Sequence, residues 1–513
     1  MKGKHIIAII GAVTIINLVS RLIGYFREML VAYQFGFSFQ ADSIATAYTI
    51  PNFLYIVLGG ALTSAFVSVY SKIEDPERKK QYLRSMFGWL SLSMLLLTLL
   101  FIGASDLLIP FLFQDQAETI ALSVNLFMIM GPAIFFLILS MWLQGLLNVN
   151  DKFSIAALST LIMNGAFVAI AFVFYPSLSS YAHAYGASIS AFLMFAFLVG
   201  FIWYKGYFNF RPSLESTPEV WRTFRLTIPI MLGGATLQLY FLIYRIFGAH
   251  IGEGTIAALN LTSKFVQLPQ TVLMLAVTAV IFPMLARKVA ANEHETVAKI
   301  HGQGLRLMAL VIIPVTVFIV VYAKDIIITL FEYQDFTRED TLVATPLLQI
   351  FVIGMFFHAA NVYITRFYYA YERSMYPLIV SLISVLAINI SLSYVLLGPL
   401  GAEGLAWAMT ISAGINFVLL LVGVNNVLKW QRKAPVEMKE QLVGFLKLMV
   451  MSVIIGFILF GMNHYFIDMY PLVDLLLGGL AFAVLFIGLL YALRFQERKD
   501  IQKLLKRKVG DDR

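Results

Sequence analysis

Cysteine is absent from the 513 residues, which rules out a disulfide framework and thiolate metal sites. Charge is scarce. Asp, Glu, Lys and Arg make up 13% of the chain, against about 25% in soluble domains, while 60% of residues are hydrophobic. No glycine-rich loop followed by Lys-Ser/Thr is present, so direct ATP hydrolysis has no support. No Asp-rich pair stands in a cation-rich connection to hold magnesium and a diphosphate, as membrane prenyl and glycosyl transferases require. His183, His250 and His464 lack metal-ligand spacing. The connections between apolar runs are too short to hide a catalytic domain. These gaps point away from an enzyme, a metal or a cofactor, and toward transport.

What is present is a series of apolar stretches of about 20 residues or more, each long enough to cross a bilayer as a helix. Fourteen are expected, at 6–34, 41–70, 83–105, 118–146, 153–175, 181–204, 226–249, 255–286, 301–323, 341–371, 376–396, 402–428, 441–464 and 471–494. The fold class is all-α and polytopic. Cations alternate between connections. Lys72, Arg78, Lys79, Lys80 and Arg84 follow span two; Lys205, Arg211, Arg222 and Arg225 follow span six; Arg287, Lys288 and Lys299 follow span eight. Lys429, Arg432, Lys433 and Lys439 follow span twelve, and a basic tail runs from Arg494 to Lys508. The intervening loops hold only Lys324 and Arg338, among Asp325, Glu332, Asp335, Glu339 and Asp340. The positive-inside rule then places both termini in the cytoplasm and demands an even number of spans. The net charge of +8 is thus a topology signal, and nucleic acid is not an expected partner. The start, "MKGKHIIAIIGAVTIINLVS", reads as a retained first span, since no small-residue cleavage site follows its apolar core.

Two stretches echo each other. "FGFSFQADSIATA" begins at Phe35 and "FGAHIGEGTIAAL" at Phe247, each placing an acid, Asp42 or Glu253, at the opening of a span. The offset of six spans is even, so the copies share an orientation, as in transporters built from two parallel repeats. The expected layout is an N-terminal lobe at 1–204, a C-terminal lobe at 205–428, and a pair of added spans with a basic tail at 429–513.

Charges inside the spans mark the candidate site. At about 100° per residue, Asn17, Arg21, Gly24 and Glu28 share one stripe of the first span, with Ser20 and Arg27 flanking it. An arginine at the bilayer centre costs about 2.5–3.5 kcal/mol on insertion scales, so such residues face a partner or a substrate path. Arg21 is too deep to snorkel. Glu28 and Asp42 are candidate gate or pairing acids for Arg27. Lys264 lies well inside span eight beside Ser263 and Gln267, just before Pro269, and fits a cavity wall. Asn17, Ser20, Gly24, Ser263 and Gln267 are candidate lining residues. Arg245, near an outer boundary, is read as snorkelling, and Arg366, among Phe367, Tyr368, Tyr369 and Tyr371, as an inner-interface anchor in an aromatic belt.

At these residues the chain resembles a known family. "SRLIGYFREMLVAYQFG", "QADSIATAYTIPNFL", "LNVNDKFSIAA", "LFEYQDFT" and "FYYAYERSMYPL" are similar to the MurJ/MviN lipid II flippases of the MOP exporter superfamily, in order and over nearly the whole chain. The resemblance implies two lobes around a central cationic cavity and a groove for the polyprenyl tail along the last two helices. It implies alternating access that moves an undecaprenyl-diphosphate-linked peptidoglycan precursor to the outer leaflet of the bacterial cytoplasmic membrane. Membrane lipids and the cell-wall synthesis machinery are the implied partners. The family's two first-span arginines match Arg21 and Arg27, its acid opening span two matches Asp42, and its span-eight arginine is matched by Lys264. One departure stands out: where the family carries two arginines after "Pro-Asn", this chain has Tyr55 and Ile56. That keeps open a MOP-type exporter of another polyprenyl-linked glycan. A membrane transferase acting on polyprenyl diphosphate is disfavoured by the missing metal-binding acids, and a cationic-drug antiporter by the buried cations.

Overall fold

In hydrocarbon every backbone N–H and C=O must find its partner within the protein, and a helix supplies those partners locally. A computed structural model describes residues 3–114, 116–428, 438–465, 470–493 and 495, and among them there is no strand. Lys429, Arg432, Lys433 and the cations of the tail lie outside the described residues. The first helices are α1 (Gly3–Phe35), α2 (Phe39–Leu54) and α3 (Gly60–Tyr70), the last two joined by a π-helical turn at Tyr55–Gly59. Then come α4 (Pro76–Gly103), α5 (Ser105–Leu112), α6 (Ala117–Met130), α7 (Pro132–Val149), α8 (Phe153–Leu178) and α9 (Ser180–Tyr204). Next are α10 (Pro218–Gly248), α11 (Thr255–Ala290), α12 (His294–Val321), α13 (Ala323–Phe331) and α14 (Arg338–Ala370). The chain closes with α15 (Met375–Leu382), a π-helical stretch (Ile383–Asn389), α16 (Ile390–Leu428), α17 (Met438–Tyr465) and α18 (Pro471–Ala492).

Helical segments lie over all fourteen expected spans. Among the described residues ten helices are long and apolar enough to cross a membrane, or eleven with the bent α10 taken as one span. Spans eleven and twelve run into one another through α16, broken only at Gly401, whose φ of +52° suits a residue without Cβ. Long faces of these helices carry exposed apolar side chains, such as Leu95 and Leu99 on α4 and Leu476, Leu480, Val484 and Ile487 on α18. Such faces suit lipid, and the protein is a multi-pass membrane protein.

The chain divides into two compact units, 1–264 and 265–513. The division falls inside α11, so α10 and the start of α11 group with the first nine helices. In the first unit α1 lies on α8, where the Asn164 side-chain amide donates to both the Ser20 carbonyl and its Oγ at 3.0 Å. Phe66, Tyr82 and Trp142 form the core of an aromatic cluster joining α3, α4 and α7. At one end the hydroxyls of Tyr82 and Thr223 share a 2.6 Å hydrogen bond and Arg78 pairs with Glu219 at 2.7 Å. The two cation-rich connections of this unit therefore lie together.

In the second unit α14 packs on α12 and α16. The hydroxyls of Tyr363 and Tyr368 donate to the carbonyls of Ile300 (2.8 Å) and Leu420 (2.7 Å). Phe367 and Tyr368 of the expected aromatic belt are fully buried helix-packing surface, while Arg366 is half-buried and Tyr369 is exposed. Tyrosine hydroxyls that find carbonyls inside the protein have no need of the interface. Leu448, Met451, Ile455 and Leu459 form the buried stripe by which α17 meets its neighbours, at the helical spacing expected of such a face. Asn463 at its end donates to Asp325 at 2.8 Å.

Candidate anion-binding site

The site is built around one carboxylate of α1. Glu28 Oε1 accepts from Arg27 Nη2 at 2.8 Å and pairs with Lys264 Nζ at 3.4 Å. Its other oxygen, Oε2, accepts from Asn260 Nδ2 at 2.7 Å. The Arg27 guanidinium is further held between two rings, 4.7 Å from the centre of Tyr48 and 5.0 Å from that of Phe167, and donates to the Tyr48 hydroxyl at 3.2 Å. Aromatic faces attract a cation and exclude water, so they fix its position as well as its charge. Arg27 is 9% exposed. These groups surround a cavity of about 40 Å³, lined also by His183 and Arg245, with room for a few waters. An internal anion thus holds together cations contributed by α1 and α11.

Arg245 corrects the snorkelling expectation. Its side chain turns inward and is 7% exposed, donating to Thr49 Oγ1 at 2.8 Å and to Asn260 Oδ1. An arginine one turn from the end of α10 can reach an interface, but two acceptors within reach inside the unit outweigh that option. His183 was also unmarked. It is fully buried, with Nε2 2.7 Å from Gln34 Oε1 and its ring packed edge-on to Phe35 and Phe167. The small residues around it, Ala182, Ala184, Gly186 and Ala187, were the available signal, since they let α9 approach closely.

Asp42 does not make the expected pair with Arg27 its principal contact. Its carboxylate sits at the start of α11, with Oδ2 accepting from Gly254 N and Oδ1 from Ala257 N, both at 2.7 Å. Conversely, Glu253 Oε1 accepts from Phe39 N, the first residue of α2, at 2.9 Å. Each acid of the sequence echo therefore caps the other copy's helix, placing negative charge where the helix start is positive. Gly254 has a φ of +78°, and a Cβ there would stand 2.3 Å from the Phe37 carbonyl oxygen. Only glycine fits that approach.

The other expected residues lie elsewhere. Arg21 is exposed and outside the cluster, and Asn17 is half-buried and does not line the cavity. Ser20 and Gly24 pack on α8; a Cβ at Gly24 would lie 3.5 Å from Asn164. Ser263 is buried with its Oγ 3.2 Å from the Tyr244 hydroxyl, and Gln267 falls in the second unit. None of the five expected lining residues lines this cavity. The reason is rotational. On α1 the side that meets α8 runs through Ser20, Gly24 and Arg27, one edge of the polar stripe, while Asn17 and Arg21 fall outside it.

The comparisons agree with this architecture. A family model described as lipid II flippase MurJ matches residues 31–480. A protein of Buchnera aphidicola subsp. Acyrthosiphon pisum, named "Probable lipid II flippase MurJ", is 27% identical over 88% of this chain and 89% of its own. One of Burkholderia cenocepacia, named "Lipid II flippase MurJ", is 25% identical over 88% of both. The solved structure described as "Lipid II flippase MurJ, inward closed conformation" superposes with a TM-score of 0.80 at 25% identity, covering 94% of this chain and 99% of that one. A multidrug resistance MATE family transporter of the MOP superfamily, inward-facing, shares the fold at a TM-score of 0.69 and 14% identity, over 82% of this chain and 99% of its own. With a family match across most of its length and a helical plan shared with a solved member, the chain belongs to the lipid II flippase MurJ family.

Proposed function

We propose that this protein moves lipid II, an undecaprenyl-diphosphate-linked peptidoglycan precursor, from the inner to the outer leaflet of the bacterial cytoplasmic membrane. The observation that carries the reading is the part-buried Arg27–Glu28–Lys264 cluster. Two cations held on one internal carboxylate form a site that an incoming diphosphate can take over. Its oxygens take the place of those of Glu28 on the two cations, so neither cation is left unpaired inside the protein, which would cost several kcal/mol. Arg21 stands six residues toward the inner end, about 9 Å along α1, and in this reading meets the phosphate first. Arg21, Arg27 and Lys264 are the substrate-binding residues of this reading, with Glu28 the pairing acid and Asp42 the outer gate.

The cavity of about 40 Å³ is far smaller than a sugar-peptide head, so the cluster belongs to a closed stage of an alternating cycle. The reciprocal caps of Asp42 and Glu253 act as the outer latch, and their release would open the outer side. The tail stays in lipid throughout, along the last two helices. Both termini are cytoplasmic in this reading, with lobes at 1–204 and 205–428 and the added segment at 429–513. An inside-negative potential favours outward movement of an anion by about 2.3 kcal/mol per charge per 100 mV.

A second reading, export of another polyprenyl-diphosphate-linked glycan, is favoured by Tyr55 and Ile56 standing where the resemblance implies arginines. Depletion of the protein followed by lipid analysis separates the two. Accumulation of inward-facing lipid II supports the first reading; accumulation of a different lipid-linked glycan, with lipid II unchanged, overturns it.

A further inference from the structure

The cavity is lined by three cations, Arg27, Arg245 and Lys264, and by one acid, Glu28. Three positive charges less one negative leave an excess of two. Asp42 is not among the lining residues, and its two oxygens face the positive start of α11. A buried excess of charge is unfavourable unless a counter-ion arrives. Arg27 and Lys264 each reach Glu28, whereas Arg245 makes no ion pair among the described residues. Its contacts are the neutral oxygens of Thr49 and Asn260, and its Nε is buried with no hydrogen-bond partner among the described residues. A guanidinium in this state is a held charge awaiting an anion.

We infer that Arg245 is a further substrate-binding residue, which supplies the second uncompensated charge and makes the site select a dianion over a monoanion. This rests on the proposed flipping of a polyprenyl-diphosphate lipid and names the feature by which that headgroup is recognised. Asn260 provides the linkage. Its Oδ1 accepts from Arg245 while its Nδ2 donates to Glu28, so displacement of Glu28 by phosphate frees the amide that holds Arg245. Arg245 then turns its free Nε–H and one Nη–H to the second phosphate. Sequence position alone hid this, because Arg245 lies close to a helix end.

The test compares two lipids carrying the same sugar on the same polyprenyl chain, one through a diphosphate and one through a monophosphate. Each competes with fluorescent lipid II for flipping by the full-length protein in vesicles. The wild type is expected to prefer the diphosphate. Arg245→Gln is expected to weaken diphosphate competition about tenfold or more, as loss of a charged hydrogen bond implies, with monophosphate competition little changed. Arg245→Lys retains the charge but cannot bridge Thr49 and Asn260, so it is expected to keep the preference even if thermal stability falls. A folded Gln variant with the wild-type diphosphate-to-monophosphate ratio would overturn the inference. If the Gln variant does not fold, loss of the preference in the Lys variant overturns it instead. A wild type that flips no lipid II and responds to neither competitor would point to failure of the functional reading rather than of the role of Arg245.

Discussion

Asp42 and Glu253 each complete the first turn of the other's helix: Asp42 accepts from the backbone of Gly254 and Ala257, and Glu253 from that of Phe39. Asp42 is fully buried and Glu253 is exposed, so the two caps are unequal in strength. Asp42→Ala leaves two buried N–H groups without acceptors, at about 1–3 kcal/mol each, while Glu253→Ala is expected to cost less because water replaces the carboxylate. A cysteine placed at Ala257 should become reactive from outside in Asp42→Ala and stay protected in the parent. Equal protection in both would remove Asp42 from the latch.

Gly254→Ala tests the same contact through the backbone. The added methyl meets the Phe37 carbonyl oxygen and forces a positive φ on alanine. Thermal stability is expected to drop, while Gly60→Ala, at a helical φ of −64° and with no described atom within 4 Å of the added Cβ, lowers it less.

Arg21 and Arg27 should separate fold from function. Arg21 is exposed and outside the cluster, so Arg21→Ala is expected to change stability by no more than about 0.5 kcal/mol while abolishing complementation. Arg27→Ala removes a partner of Glu28 and leaves part of a buried charge unpaired, at about 3–5 kcal/mol, so accumulation and activity should fall together. Complementation by Arg21→Ala at normal protein level would end its role in the path.

Lys264 grips Glu28 as a point charge at 3.4 Å. Lys264→Arg is expected to keep substantial flipping, because a guanidinium keeps the charge and offers the phosphate a planar two-donor fork. Lys264→Gln should lose most flipping per folded molecule in reconstituted vesicles. A Gln variant with normal turnover would show that Lys264 only pairs with Glu28.

Because the chain has no cysteine, single cysteines report topology cleanly. A cysteine at Arg78 is expected to be labelled only from the cytoplasm, and one within 332–340 only from outside. Outside labelling at position 78 would invert the proposed orientation and with it the direction of transport.

Composition and hydrophobic run length were enough to specify helices over every expected span, since a segment with no water around it has few ways to satisfy its backbone. Depth along α1 also marked Arg21, Arg27 and Glu28 as costly charges that needed a reason. Rotation about each helix axis was not legible. Polarity places a residue on a stripe, but only neighbouring helices decide which edge of the stripe is enclosed, so Ser20 and Gly24 became packing surface and Glu28 the centre of a cluster. The same holds for Arg245 and His183, whose burial comes from partners at Thr49, Asn260 and Gln34, up to about 200 residues away in the chain. The echo of Asp42 and Glu253 was visible as a repeat, yet its meaning as a pair of crossed caps required the two helix starts to meet. Local sequence fixes where a helix lies and what it costs to bury its charges; which charges meet is set by long-range packing, and that packing brought Arg27 and Lys264 together on Glu28.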